Sequence, residues 1–364
     1  MSGLRRAKRA QRSAPSILAE ATNDSRKRSR MTHHRELLFS LALVLGLVNA
    51  APPPVSPGSP RPVFSFSPLE LTAIQYIIPL GNLNPRHGHI FPTDHIYLVY
   101  EQPRELPVYA PASGTVLAIR GQSGDDYKLE VRVTDTFSYY LAHLFVEPGV
   151  RVGSRIEAGQ VVGRTSGRAS FDLGCCDTTV TLRGFANPKR YPDSTLHAVP
   201  PLKFFAEPLQ SSLYAKVEKS ARDKDGKIDP DIPGRLVGNW FLEGLAVSES
   251  ARGTANVWEK QLAFVYDVRQ TNMIRISIGG TIAPAGAYRV AEGAPDPATV
   301  STASGKVRYK VVADGSQTGA RGGADKHALV LVQMLAEDRI KAEFFSEGRT
   351  DATEFTAAAK VYVR

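Results

Sequence analysis

The sequence predicts an all-β chain: a β-sandwich over residues 63–209, then a small antiparallel barrel or sandwich over 236–364. Three observations carry this. Between Val63 and Leu209 the apolar residues come in short β-branched or alternating runs punctuated by Gly and Pro: Val116–Ile119, Lys128–Val133, Ser138–His143 and Val161–Arg164. No long amphipathic helix interrupts them. From Leu236 onward at least six further runs recur: Gln261–Val265, Met273–Ile278, Lys306–Ala313, His327–Leu335, Arg339–Phe345 and Ala357–Val363. That density of strands suits a small closed or two-layered antiparallel fold.

The N-terminal 50 residues read as an address. Met31–Ala51 (MTHHRELLFSLALVLGLVNAA) places Arg35 before an apolar run from Leu37 to Val48 and ends in small residues. This is the pattern of a signal peptide cleaved near Ala50, and the run is too short for the roughly 20 residues a membrane-spanning helix needs. The expectation is an exported chain, periplasmic or extracellular, with no transmembrane span after cleavage. Residues 1–30 are basic and patternless and fit an upstream start ahead of Met31; residues 51–62 (APPPVSPGSPRP) form an extended spacer.

The net charge is +9, but residues 1–50 hold ten Lys and Arg against three acids and so supply +7 of it. The remainder is nearly neutral, which argues against a nucleic-acid partner for the folded part. The two cysteines, Cys175 and Cys176, are adjacent and cannot staple distant segments. Two small strand residues is the simplest reading; a vicinal disulfide or a soft metal ligand is the alternative.

Two phrases share one pattern. Leu106–Gly114 (LPVYAPASG) leads into TVLAI, and Val150–Gly159 (VRVGSRIEAG) leads into QVVGR. The stretch Val150–Gly163 resembles the duplicated hybrid motif shared by lipoyl carriers and the LytM/lysostaphin-type peptidoglycan metallopeptidases. A carrier needs a modifiable lysine at the hairpin between its halves, and Gly121–Tyr127 (GQSGDDY) has none. The resemblance to the peptidases goes further. His95 stands on an early strand, Pro107-Val108-Tyr109-Ala110 and Gly114-Thr115-Val116 follow at the family's spacing, Tyr140-Leu141-Ala142-His143-Leu144 stands where Tyr-x-His-Leu belongs, and Ser166-Gly167 supplies the last turn. The resemblance therefore implies a duplicated hybrid-motif β-sandwich.

The departures lie at the positions that do the family's chemistry. Val99 stands where the family has an Asp ligand. Ser170 and Asp172 replace the two histidines of the final strand, the first catalytic and the second a zinc ligand in the family. A hydrolytic zinc needs three N/O ligands and one open position. A rebuilt site would take His95, Asp172 and His89 as metal ligands and His143 as general base or outer partner. Strand alternation puts Glu101 on the face of His95, Tyr97 and Val99, where it could replace the lost carboxylate. Tyr140 and Ser170 would line the cleft. The competing reading pairs His95 simply with Asp94 or Asp172 and leaves His87 and His89 as loop residues.

Between the domains, Leu209–Ala221 has apolar residues at helical spacing, so residues 210–235 read as a helical linker. Asp223–Asp229 looks like a calcium loop but lacks its terminal Glu, which favours a solvated acidic turn. Gly238-Asn239-Trp240 resembles the Gly-x-Trp opening of lipocalin-like barrels, and no catalytic cluster follows it. Three functions stand open: a degenerate relative of the peptidases that binds peptidoglycan or regulates a wall hydrolase, an active zinc endopeptidase of peptidoglycan cross-links, and a carrier of small apolar ligands in the barrel. Zinc is the cofactor only of the second.

Overall fold

The computed structural model describes residues 61–101, 104–123, 126–313 and 327–364. The leader, its cleavage point near Ala50 and most of the proline-rich spacer lie outside the described residues.

The first domain is a folded sheet of ten strands: β1 (Ile74–Ile78), β2 (His95–Tyr100), β3 (Pro107–Tyr109), β4 (Gly114–Ser123), β5 (Asp126–Arg132), β6 (Phe137–Val146), β7 (Arg155–Ile156), β8 (Val161–Thr165), β9 (Ser170–Asp177) and β10 (Ala198–Val199). The main path runs β1-β2-β9-β6-β5-β4-β7, with β8 pairing both β3 and β6 and β10 pairing β9. Alternation assigns the faces. Ile96, Leu98 and Tyr100 of β2 and Phe171, Leu173 and Cys175 of β9 join one apolar core with Val131, Tyr139 and Leu141. The intervening residues, His95, Tyr97 and Val99 with Ser170, Asp172 and Gly174, share the other face. Cys175 is buried in the core and Cys176 half-buried; both are free thiols.

The second domain is a closed barrel of eight antiparallel strands: β11 (Gly238–Leu242), β12 (Gln261–Tyr266), β13 (Ile274–Ile278), β14 (Gly286–Val290), β15 (Lys306–Ala313), β16 (His327–Ala336), β17 (Arg339–Phe345) and β18 (Lys360–Val363). One residue in two points inward. Trp240, Leu262, Phe264, Ile276, Ile278, Tyr309, Val330, Val332, Ile340 and Tyr362 make a continuous apolar filling, as an eight-stranded barrel has just room for side chains. Arg364 closes one end, its guanidinium 3.8 Å from the Trp240 ring centroid and donating to the carbonyls of Arg235 and Leu236.

Sequence reading missed β14, whose Gly286 and exposed Arg289 interrupt the apolar pattern. The linker is less helical than its spacing predicts. The helix covers only Leu209–Tyr214, because Val217 is recruited to a bridge with Ile77 of β1. The acidic turn is tied by cations, Lys203 to Asp225 at 2.9 Å and Lys227 to Asp229 at 2.9 Å.

The barrel's outer face meets the sandwich. Phe91 and Phe241 stack edge to face at 5.0 Å, Tyr191 and Phe241 at 5.6 Å, and Leu83 packs with Ala263, Val265 and Ala287. Between the two domains lies a cleft of about 1100 Å³ whose wall takes residues from both. Among the described residues no helix is long and apolar enough to cross a membrane.

Candidate functional site in the interdomain cleft

Three strands deliver the cleft's chemistry. On β2 and β9 the antiparallel register sets Tyr97 opposite Asp172 and Val99 opposite Ser170. On β6 the register sets Tyr140 opposite Gly174 and Ala142 opposite Asp172. Gly174 is required there: a Cβ on it would lie 2.2 Å from the Tyr140 ring. With only hydrogen at that position, Tyr140 lies across β9 and its hydroxyl donates to Asp94 Oδ1 at 2.8 Å.

His143 reaches the cleft by a break in alternation. Tyr139 and Leu141 face the core, and so does Leu144, so one residue has been inserted between them. The β5 partners record the same slip, Tyr127 opposite Leu144 and Lys128 opposite Ala142. His143 takes φ +69°, the one left-handed non-glycine among the described residues. Such a bulge re-aims a side chain at the cost of local strain, a device found at functional sites.

The side chains form a chain of acids and imidazoles. His95 Nδ1 lies 3.1 Å from Asp94 Oδ1 and its Nε2 3.4 Å from Asp172 Oδ2. His143 Nδ1 lies 2.8 Å from Asp126 Oδ2 and its Nε2 3.2 Å from the same Asp172 Oδ2. Arg168 Nε donates to Asp126 Oδ2 at 2.9 Å, and Thr195 Oγ1 donates to Asp94 Oδ2 at 3.1 Å. Each ring nitrogen of His95 thus faces a carboxylate oxygen, Nδ1 toward Asp94 and Nε2 toward Asp172. Both His95 Nε2 and Asp172 Oδ1 are buried without a hydrogen-bond partner.

Electrostatics sorts these groups. Burial works to raise the Asp172 pKa, but His95 and His143 outweigh it and hold the carboxyl below its ordinary value. Burial likewise opposes charge on His143, yet Asp172 and Asp126 prevail and raise it. His143 therefore favours the imidazolium, bonded between two carboxylates. His89 goes the other way: burial, then the neighbouring His95, lowers it to about 4. Burial and then the Asp94 charge push the Tyr140 hydroxyl well above its usual range, so it remains a donor.

The candidates from sequence are partly gathered. His95, His143, Asp172, Tyr140, Ser170 and His89 all line the cleft, and the His89 ring stands edge to face with His95 at 5.1 Å. Its loop is pinned by mutual backbone bonds between Asn84 and His89 and by Gly88, where a Cβ would fall 2.2 Å from the Trp258 ring. Glu101 lies exposed past the end of β2 and is not part of the cleft wall. Asp94, already a candidate partner for His95, is joined by three residues that sequence reading did not single out. Asp126 and Arg168 sit at a strand start and in a turn, and Trp258 comes from the other domain.

Zinc can be tested against this donor set. Among the described residues no group of three or more His, Cys, Asp or Glu is arranged to hold a metal ion. Both Nε2 atoms are directed at one carboxylate oxygen, and Val99 on the same face has no donor atom.

No protein-family model and no curated protein matches the chain. Among solved structures it is similar to Csd3 of Helicobacter pylori, with 16% identity over 40% of this chain and 35% of that one at a TM-score of 0.29. It is also similar to a chain of the SpoIIQ-SpoIIIAH pore-forming complex, with 16% identity over 44% and 99% at 0.30. A third is the catalytic domain of the antimicrobial peptidase lysostaphin from Staphylococcus simulans, with 16% identity over 31% and 78% at 0.23. The match spans about a third of the Csd3 chain.

Proposed function

We propose that this chain is an exported relative of the LytM/lysostaphin-type peptidases that acts at the cell wall by binding peptidoglycan without cleaving it, or by engaging a wall hydrolase through the same cleft. The observation that carries this is the register of β2 against β9. It brings the two most altered positions, Val99 and Ser170, directly opposite one another. One half of the family's site is thus a methyl surface against a hydroxyl. The other half, His95, Asp172 and His143, is occupied by contacts among its own members. The scaffold phrases support the cleft, and the leader read from sequence supports export.

The test is sedimentation of the mature protein with purified peptidoglycan sacculi, beside metal analysis of the same preparation. Binding with far less than one equivalent of zinc supports the proposal. Stoichiometric zinc, or no retention on sacculi, overturns it.

A further inference from the structure

The sandwich half of the cleft does not account for its size or its charge. Five cationic residues, Arg86, Lys128, Arg168, Arg190 and Arg252, line it against three acids, Asp94, Asp172 and Glu259. Much of the cationic charge is committed elsewhere. Lys128 lies over the Tyr140 ring at 3.5 Å, and Arg190 donates to the Leu245 carbonyl. Arg168 differs. Its Nε is bonded to Asp126, which fixes the guanidinium plane, while its two terminal nitrogens have no acceptor among the described residues. Its side chain is 39% exposed. A fixed guanidinium with two free parallel donors matches a carboxylate.

The barrel supplies a second guanidinium. Arg252 is exposed, lines the same cleft and has no ion pair among the described residues. Trp258, partly buried on Gly88, adds an aromatic wall beside it. On the same wall, burial first and then Arg168, His143 and Arg86 lower the His87 pKa.

We infer that the cleft is a two-domain site for a peptide bearing a free carboxylate, held by the Arg168 fork of the sandwich and by Arg252 of the barrel, with Trp258 against its apolar part. This rests on the wall-binding reading and gives the barrel its role as the second wall. A cleft with apolar sides and a few convergent polar groups suits an organic ligand better than a bare inorganic anion.

Calorimetry on the mature chain tests it with three probes: an alanine-terminated tetrapeptide, the same peptide as its C-terminal amide, and inorganic phosphate. The free acid should bind, the amide about tenfold or more weakly, and phosphate should not compete. Arg168→Lys keeps the charge but loses the fork, and Arg252→Gln sits on an exposed barrel position; each should weaken the acid about tenfold and leave the amide unchanged. Equal affinity for acid and amide, competition by phosphate, or indifference to both substitutions overturns the inference. If sacculi are retained while the tetrapeptide is not, the carboxylate site falls and wall binding stands. If neither binds, both fall.

Discussion

The barrel interior and the interdomain cleft are built from the same strand alternation and use it oppositely. In the barrel the inward positions are dominated by apolar side chains, and Trp240, Tyr309 and Tyr362 are buried with strand after strand of Val, Ile and Leu. In the cleft the corresponding face carries His95, Asp172 and His143, partly without partners. The first arrangement maximises burial, which stabilises at roughly 25 cal/mol per Å² of apolar surface. The second keeps buried charge in place at a cost in stability. Buried charge that borders an open cleft marks the candidate site.

Substitutions should separate the two. Trp240→Ala would empty the barrel centre and strip Arg364 of its stacking surface; a loss of about 3–5 kcal/mol in urea unfolding is expected, with no direct effect on cleft binding. Asp172→Ala leaves His143 without one of the two carboxylates that hold its proton. It should cost about 3 kcal/mol and move the His143 titration downward, read by imidazole NMR shifts. A wild-type titration of His143 in that variant would break the proposed chain of contacts. Gly88→Ala forces a Cβ against Trp258 at a φ of +86° and should cost about 1–3 kcal/mol; unchanged stability would show that the His89 loop is not pinned by the barrel.

The smallest effect is one of pH. His89 in the folded chain titrates near 4, below the ordinary value of about 6.5. Between those values the unfolded chain binds a proton that the folded chain refuses, so stability falls as pH falls through that window. His143 has the opposite sign. Its folded pKa is raised, so its contribution is complete below about 6.5 and is lost as pH rises through the folded value. Thermal melts against pH should flatten on the acid side in His89→Gln and on the alkaline side in His143→Gln.

How much of this was legible depended on whether alternation was kept. His95, Tyr97 and Val99 follow a regular strand, and period-two reading placed them on one face. The same reading drives His143 into the core beside Leu141. Only the bulge at Ala142 and His143 brings it out, and a bulge leaves no mark in residue order beyond a shifted apolar phase, here Leu141 to Leu144. Asp126 and Arg168 were passed over because their role comes from the contact between them, not from any local pattern. Trp258 belongs to a short helix (Ala255–Trp258) ahead of β12, and nothing in its neighbours announces a cleft in another domain. The eight-stranded closure was half visible: six strands were read, while β11 was known only from its Gly-x-Trp opening and β14 was hidden.

The central claim is a wall-binding cleft that no longer cleaves. It is tested most directly by incubating the mature protein, equilibrated with zinc, with purified sacculi and measuring soluble fragments released. Retention on the sacculi with no release above buffer is predicted. Release of soluble peptide-linked fragments by the native chain, abolished in Asp172→Ala, would contradict it.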